Sequence, residues 1–324
     1  MREKINIGVM GCANIAKRSV IPTIISNQNF NLVAVASRSE LKANEFASLF
    51  NVKPIVGYEN LLNEEIDAVY MPLPTGLHEE WILNCLEKRK HIYVEKSFAP
   101  NYFVTKKILD KAKQKKCVVK ENFMFPYHSQ SKYLLNLIEN KTIGNIRSFR
   151  SSFCFPPLNN NNFRYSKELG GGALLDAGAY PIKAAQMVLG KGIKHLSSTM
   201  NVNNKGVDIT GSAHFLSSQN IPIHLTWGFD NFYQCQIEIL GTKGKVTTDR
   251  SFTAGLGVKP SITIETDNKI EQLSLNSDNH FNNILNSFYD EIIDKKFNEA
   301  IDEIKNQSFL QNEILTKSII NEVL

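Results

Sequence analysis

The sequence has few cysteines and no long hydrophobic run. No apolar stretch in its 324 residues approaches the roughly 20 residues that cross a bilayer. The first predicted strand begins at Ile5, which leaves no room for the apolar segment of a signal peptide. The five cysteines form no C-x-x-C pair and have no histidine at metal-ligand spacing. These absences predict a cytoplasmic protein with free thiols, no membrane span and no metal site.

The sequence also lacks a concentration of charge of one sign. It has 37 Lys and Arg residues against 32 Asp and Glu residues, a net charge of +5. These charges are dispersed, and the densest run, from Lys111 to Lys116, is typical of a solvated helix face. Because no basic stripe with interleaved aromatics occurs, we expect no nucleic-acid partner. A chain of this length predicts about two domains.

The first forty residues are the most informative part of the chain. A short apolar strand, Ile5–Met10, runs directly into a degenerate form of the dinucleotide-binding pattern G-x-G-x-x-G. Ala13 and Ala16 replace the second and third glycines, and both are small enough for the backbone to approach a pyrophosphate. The helix that follows would direct its free N–H groups at the phosphates. The predicted phosphate contacts are Gly11, Cys12, Ala13, Asn14 and Ile15.

The end of the second strand indicates which dinucleotide binds. Binders of NAD carry an acid there for the ribose 2′-hydroxyl, whereas this strand ends in Ser37 and Arg38. A carboxylate would repel a 2′-phosphate, while a hydroxyl and a guanidinium would bind one. The sequence therefore predicts NADP(H) as the cofactor, with contacts from both residues.

Residues 1–121 alternate strands and helices at the spacing of βαβ units. This pattern predicts an α/β Rossmann domain with a doubly wound parallel sheet, which binds ligands at the carboxyl ends of its strands. The predicted strands are Ile5–Met10, Leu32–Ala36, Ala68–Met71, His91–Val94 and Cys117–Val119, and the predicted helices include Glu40–Phe50 and His78–Lys88.

Residues 122–324 have a different pattern, with long alternating strands backed by helices. It predicts a C-terminal α+β domain with one large, open, mostly antiparallel sheet. We expect that sheet to expose an apolar face, which monomers seldom tolerate, and hence a homodimer or homotetramer packed sheet to sheet. Helices are predicted at Ser131–Glu139, Ile182–Leu189, His280–Lys295 and Gln307–Val323, and strands at Ile146–Phe155, Gly211–Phe215, Ile223–Trp227, Gln234–Leu240 and Lys245–Thr248.

Two further motifs follow predicted strands of the first domain. Pro72, Leu73 and Pro74 fix an extended loop that leads to His78. The next strand ends in Glu95 and Lys96, a pair that could supply a cation to a substrate beside the nicotinamide. From spacing alone, the same pair is equally well explained as a surface ion pair.

A glycine cluster, residues 170–172, precedes Asp176 and Tyr180. These two residues are four apart, which places them on one face of a helix, although Pro181 predicts a kink at that point. A buried tyrosine with a capping aspartate is the alternative explanation of this segment.

Taken in order, these motifs resemble the glucose-fructose oxidoreductase/inositol dehydrogenase family, Gfo/Idh/MocA. The resemblance covers essentially the whole chain and includes the segment Glu121-Asn122-Phe123-Met124. It implies hydride transfer to or from a sugar-like substrate, with Lys96 as the active-site lysine, Asp176 as the supporting acid and Tyr180 as the acid/base. Two departures are a serine after Lys96, where the family usually has proline, and a tyrosine at position 180, where many members have histidine.

A tyrosine at position 180 is similar to the branch of the family that contains glucose-fructose oxidoreductase, dihydrodiol dehydrogenases and ketoreductases of nucleotide-linked deoxysugars. We therefore expect an NADP(H)-dependent ketoreductase acting on a keto-sugar, with a sugar or nucleotide-sugar as its small-molecule partner. The alternatives are an NADP-dependent sugar or dihydrodiol dehydrogenase and a non-catalytic ligand sensor. The remaining expected cofactor contacts are Pro72, Leu73, Pro74, His78, Glu95, Lys96, Asn122 and Arg164.

Overall fold

The computed structural model describes residues 4–322. Within that range the chain divides into two compact units. The first runs to Asn122 and is completed by Phe281–Lys305, and the second contains Phe123–His280 and is completed by the chain from Asn306 onward. The predicted domain change after residue 121 is adjacent to the observed one, whereas the sequence pattern does not predict the return of residues 281–305 to the first unit.

The helices of both units are short to moderate in length. In chain order they are α1 (Ile21–Ser26), α2 (Glu40–Phe50), α3 (Tyr58–Leu61), α4 (His78–Glu87), α5 (Tyr102–Lys115), α6 (Ser129–Glu139), α7 (Ala179–Leu189), α8 (His280–Ile293) and α9 (Ile301–Lys317). Two π-helical turns, Ala16–Val20 and Leu174–Gly178, precede α1 and α7. α2 shows how the sequence fixes such bounds: Ser39 caps it by accepting the N–H of Lys42, and Asn51 ends it in the left-handed conformation.

The first unit contains a six-stranded sheet in which every neighbouring pair is parallel. Its order is β3-β2-β1-β4-β5-β6. β2 and β3 lie on one side of β1, and β4, β5 and β6 lie on its other side, so the order reverses between β1 and β4. Ligands of such sheets bind where the order reverses, at the carboxyl edge. The predicted Rossmann architecture is confirmed. The strands are β1 (Ile5–Met10), β2 (Phe30–Ser37), β3 (Lys53–Val56), β4 (Ala68–Met71), β5 (His91–Val94) and β6 (Val119–Glu121).

The second unit contains a nine-stranded, mostly antiparallel sheet, as predicted. Its order is β14-β13-β12-β11-β7-β10-β9-β8-β15, and β7 with β10 and β8 with β15 are its parallel pairs. The strands are β7 (Ile146–Cys154), β8 (Lys194–Val202), β9 (Asp208–Leu216), β10 (Pro222–Gly228), β11 (Gln234–Gly241), β12 (Gly244–Thr248), β13 (Ser261–Thr266), β14 (Lys269–Ser274) and β15 (Ile319–Glu322).

The two faces of this large sheet differ in polarity. In β10, Ile223, Leu225 and Trp227 are buried in the core that α6, α7 and α9 complete, while the residues between them face outward. One row across the outer face consists of directly opposed polar side chains: His214, His224, Arg150, Glu238, Thr247, Thr263 and Gln272. This polar row contradicts the expectation of a continuous exposed apolar face, because the unit's own helices cover the apolar side and only single apolar residues such as Leu240 and Ile270 are exposed beside the row.

The chain's last predicted helix is also partly wrong. The helix expected over Gln307–Val323 begins earlier and ends at Lys317, and Ile319–Glu322 instead forms β15 beside β8. Two adjacent β-branched residues, Ile319 and Ile320, favour a strand at that point. Val323 lies outside the described residues.

Candidate active site

The loop after β1 approaches the loop after β4. Gly11 has a φ of +122°, which favours glycine, and a Cβ atom there would lie 2.8 Å from Cδ2 of Leu73. The N–H of Gly11 donates to the carbonyl oxygen of Ala36 at 2.9 Å. Leu73 and Pro72 are buried, while Pro74 is partly buried. The first glycine of the predicted pattern is thus required by its surroundings.

Residues 12–15 continue this loop toward the first π-helical turn. Asn14 is exposed, and Cys12, Ala13 and Ile15 are partly exposed. Burial raises the pKa of the Cys12 thiol, and its Sγ atom lies 3.6 Å from the carbonyl oxygen of Lys42. Because a thiol with a raised pKa stays protonated near neutral pH, Cys12 is a small loop residue and not a nucleophile.

Ser37 and Arg38 lie at the carboxyl end of β2. Ser37 is buried, and its hydroxyl accepts the N–H of Ser39 at 3.2 Å. Arg38 is exposed and stands beside Tyr58: burial raises the pKa of the Tyr58 hydroxyl, and the Arg38 guanidinium opposes that effect. The end of β2 therefore presents a guanidinium to solvent at the edge where ligands of this fold bind.

His78 joins two loops of the site. Its Nε2 atom lies 2.8 Å from the carbonyl oxygen of Leu73, and its Nδ1 atom lies 3.1 Å from that of Phe98. Burial lowers the pKa of this imidazole, whose exposed fraction is 0%. His78 has no surface to offer a dinucleotide, so in place of the predicted cofactor contact we assign it to positioning the loops after β4 and β5.

Side chains at the ends of β4, β5 and β6 form one hydrogen-bonded network. The Tyr70 hydroxyl donates to Oε1 of Glu95 at 2.7 Å, and Nδ2 of Asn122 donates to the same oxygen at 2.6 Å. The Tyr93 hydroxyl donates to Oδ1 of Asn122. Burial raises the pKa of the Glu95 carboxyl, whereas these donors and the charge of Lys96 lower it. Glu95 is thus part of a built network, which argues against a simple surface ion pair.

Lys96 follows Glu95 on a loop that is tied to β6. The peptide bond between Lys96 and Ser97 is cis, and Oε1 of Glu121 accepts the N–H of Phe98 at 2.7 Å. The charge of Lys96 contributes to lowering the pKa of both Glu95 and His78. The ammonium group therefore lies close to the network at the carboxyl edge of the sheet.

Tyr180 lies in an aromatic cluster of the second unit. Its ring centroid lies 5.1 Å from that of Phe153, 5.4 Å from Phe252, 5.5 Å from Phe123 and 6.0 Å from Phe125. Its exposed fraction is 7%. Packing against four rings fixes the plane of the phenol. Sequence reasoning did not place these four phenylalanines around Tyr180, because they come from segments that are distant from it in the chain.

Asp176 is held by an arginine. Nε of Arg164 donates to Oδ2 of Asp176 at 2.6 Å, and the side chains are 28% and 15% exposed, respectively. Such charge-assisted pairs favour the ionised carboxylate. Arg164 is thus a partner of Asp176, and its predicted contact with the cofactor stays a prediction. Pro181 lies in the first turn of α7, where its missing N–H is tolerated, and the helix continues to Leu189.

Metal and membrane features were sought in the same structure. Among the described residues, no group of three or more His, Cys, Asp or Glu side chains could hold a metal ion. Within residues 4–322, no helix is long and apolar enough to span a membrane. All five cysteines are free thiols.

Both parts of the chain match family models. Residues 5–123 match the oxidoreductase family with an NAD-binding Rossmann fold, and residues 132–247 match the GFO/IDH/MocA C-terminal domain. The chain therefore belongs to the Gfo/Idh/MocA family of oxidoreductases, as the order of its motifs predicts.

Individual relatives resemble the chain over most of its length. The dTDP-3,4-didehydro-2,6-dideoxy-alpha-D-glucose 3-reductase of Saccharopolyspora spinosa is 36% identical over 290 residues, which are 89% of this chain and 87% of that protein. The structure of KijD10, a 3-ketoreductase from Actinomadura kijaniata in complex with NADP and TDP-benzene, is 30% identical with a TM-score of 0.96 and covers 99% of this chain and 100% of its own. The D-xylose 1-dehydrogenase (NADP(+)) 2 of Haloferax volcanii is 27% identical over 81% of each chain.

Proposed function

We propose that this oxidoreductase is an NADP(H)-dependent ketoreductase that reduces a ketone of a nucleotide-linked keto-sugar. The observation that carries the proposal is the whole-length match to KijD10, a 3-ketoreductase solved with NADP and TDP-benzene. The relative of known activity from Saccharopolyspora spinosa is also a reductase of a dTDP-linked keto-sugar. A dTDP-linked 3-keto-sugar is therefore the substrate that we would test first.

The residues at the carboxyl edge of the parallel sheet fit NADPH. Gly11 leaves space for close backbone approach, as a pyrophosphate requires. Arg38 offers an exposed guanidinium at the end of β2, where a 2′-phosphate would be bound. Lys96 and the Glu95 network lie at the ends of the neighbouring strands. NADPH supplies the hydride, and the chain supplies the proton and the charge stabilisation.

Tyr180 is the proton donor in this proposal. A tyrosine ordinarily titrates near pH 10, so its hydroxyl is protonated at neutral pH. It can therefore give a proton to the carbonyl oxygen of the substrate while the carbonyl carbon gains the hydride. The ammonium of Lys96 stabilises the negative charge that develops on the oxygen. Asp176, paired with Arg164, orients the donor. Solvent then restores the proton to Tyr180.

Two single-residue variants of KijD10 support these two assignments. KijD10 was also solved with a lysine replaced by alanine and, separately, with a tyrosine replaced by phenylalanine. Those two positions are separated by the same number of residues as Lys96 and Tyr180 in this chain.

The test is single-turnover oxidation of bound NADPH by a dTDP-linked 3-keto-sugar. The wild-type protein should convert it, and Tyr180→Phe should lower the rate by about 10²–10⁴-fold, the usual weight of general acid–base catalysis. NADPH affinity should survive, because the phenol serves the substrate. An unchanged rate in Tyr180→Phe would remove this residue from the mechanism.

The second candidate is the same site used for oxidation, as a sugar or dihydrodiol dehydrogenase. The likeness to a D-xylose 1-dehydrogenase favours testing it. Steady-state reduction of NADP+ by D-xylose, at a kcat/KM above that of the keto-sugar reaction, would select this function. A protein that binds these ligands and turns over none of them would instead be a sensor.

We also propose that the protein acts in the cytoplasm as a homodimer or homotetramer. Five free thiols suit a reducing compartment. The outer face of the large sheet carries Arg150 directly opposite Glu238, with Nη1 and Oε1 3.8 Å apart. A face with adjacent opposite charges can pair with a second copy of itself in a two-fold arrangement. Light scattering of Arg150→Glu should then report a smaller assembly than the wild-type protein, and a wild-type monomer at micromolar concentration would contradict the proposal.

A further inference from the structure

A carboxylate from the sheet of the second unit supports the turn that carries Asp176. Asp208 begins β9, and its Oδ2 atom accepts the N–H of Leu174 at 2.6 Å. The N–H of Ala173 bonds to the same carboxyl group. Leu174 opens the π-helical turn that leads into α7, so these N–H groups are among those for which a helix has no internal acceptor. A negative charge at this end of a helix is stabilising.

The glycine cluster makes room for that carboxylate. Gly172 has a φ of +125°, and a Cβ atom on it would lie 2.2 Å from Oδ1 of Asp208. Any side chain at position 172 would therefore be strained and would also displace the carboxylate. This gives the third glycine of residues 170–172 a physical role that the sequence did not reveal.

The same turn is tied to the partner of Asp176. The N–H of Gly172 donates to the carbonyl oxygen of Arg164 at 3.0 Å, and the N–H of Asp176 donates to the carbonyl oxygen of Gly172 at 3.1 Å. Burial raises the pKa of Asp208 to about 6, although the backbone N–H groups of Leu174 and Ala173 act against the rise. Asp208 is therefore mainly ionised at neutral pH, the form that accepts hydrogen bonds most strongly.

We propose that Asp208 is a positioning residue for the reduction. It holds the start of the helix, through the N–H groups of Leu174 and Ala173, so that Asp176 and Tyr180 stand in the geometry needed for proton donation. It acts through the helix and not on the reacting atoms. This inference rests on the proposed function, in which Tyr180 supplies the proton.

The test compares Asp208→Asn with the wild-type protein in single-turnover oxidation of bound NADPH by a dTDP-linked 3-keto-sugar. The substitution preserves size but removes the charge and turns an N–H donor toward the helix. We expect the rate constant to fall roughly 10- to 100-fold, as for other small misplacements of catalytic groups. The Kd for NADPH and the KM for the sugar should be unchanged. A single-turnover rate constant does not depend on how much of the sample is folded, so a purely structural role would leave it unaltered.

Thr210→Val is the matched control. Thr210 lies two residues further along β9, and its hydroxyl donates to the carbonyl oxygen of Trp227 at 3.0 Å. Loss of that bond should leave the rate constant unaltered. If Asp208→Asn does not fold, Asp208→Ser takes its place with the same expected fall, because its shorter side chain withdraws the acceptor from the N–H groups of Leu174 and Ala173.

The outcomes separate this inference from the proposed function. A normal rate in the Asp208 variant beside an impaired Tyr180→Phe would overturn the positioning role alone. A normal rate in Tyr180→Phe would overturn the proposed function itself.

Discussion

The two units of this protein position their proposed functional residues differently. In the first unit, Gly11, Arg38 and Glu95 each follow directly after a parallel strand, and parallel strands bring their carboxyl ends to one edge. In the second unit, the neighbours of Tyr180 include Phe153 of β7 and Phe252, which follows β12. Strand ends can be found in a sequence by local pattern, whereas an aromatic cluster of this kind is produced by long-range packing.

The sheets show the same contrast. All four residues of β4 are buried, because helices cover both faces of a parallel sheet. β10 instead alternates buried Ile223 and Leu225 with outward-facing His224, since only one face is covered by the unit's own helices. A continuous apolar run thus indicates a strand that is covered on both faces, and an alternating run indicates a strand that is covered on one face.

The largest expected effect tests whether the lysine of the first unit and the tyrosine of the second act in one chemical step. Lys96→Ala should lower the single-turnover rate about 10²–10⁴-fold, because it removes the charge that stabilises the alkoxide. Since residues that act as a unit are not additive, the double variant with Tyr180→Phe should be little slower than the slower single variant. Multiplicative losses in the double variant would show that the two residues contribute independently.

The next largest expected effect tests how strongly the stability of the second unit depends on its aromatic cluster. Phe252 is 1% exposed and contacts Phe125, Phe153 and Tyr180. Phe252→Ala should cost about 3–5 kcal/mol of unfolding free energy, the usual range for such a truncation. Urea unfolding measures it, with Phe232→Ala, at an 86% exposed position, as the control that should be nearly neutral. A loss below that of the control would mean that the cluster relaxes around the cavity.

Acid should weaken both units, since each contains a histidine, partly buried in the first unit and buried in the second, that remains neutral. Burial lowers the pKa of His91 to about 4, and its Nδ1 accepts the N–H of Val118 at 2.9 Å. Burial, followed by the nearby His128, lowers the pKa of His280 to about 4. The unfolded chain binds protons near pH 6.5 and the folded chain does not, so stability is full above pH 6.5 and falls toward pH 4. The loss at pH 4 should reach about 3 kcal/mol for each histidine.

The measurement is the urea midpoint as a function of pH. His91→Gln in the first unit and His280→Gln in the second should each flatten part of the decline. A midpoint that stays constant from pH 6.5 to pH 4 would contradict the prediction for both units.

The smallest expected effect tests whether the first unit binds NADPH in preference to NADH. Arg38→Ala should weaken NADPH binding by about 1.5–3 kcal/mol, the range for hydrogen bonds to charged groups. NADH binding should hardly change, because NADH lacks the 2′-phosphate. Calorimetry on the wild-type protein provides the check: equal affinity for NADH and NADPH would refute the choice of NADP(H).

Sequence pattern was most accurate where structure is local. The predicted bounds of β1, β4, β5 and α2 agree with those observed. The alternation of strands with helices and the cap at Ser39 both depend on residues that are close in the sequence. β6 was predicted two residues early, and β3 was missed because Pro54 interrupts its short apolar pattern. The motifs led to Lys96, Asp176 and Tyr180 as proposed catalytic residues, whose roles remain to be tested.

The sequence by itself determined the family, the Rossmann architecture and the positions of the glycine and strand-end motifs, because each depends on residues within a few positions of one another. The tertiary structure alone decided that His78 is enclosed between two loops, that Arg164 pairs with Asp176, and that a row of polar side chains crosses the outer face of the large sheet. It also brought Asp208 of β9 to the N–H of Leu174, across 34 positions of chain. Such contacts depend on which elements pack together, and burial and pairing across a sheet leave no fixed spacing in the chain from which they could be predicted.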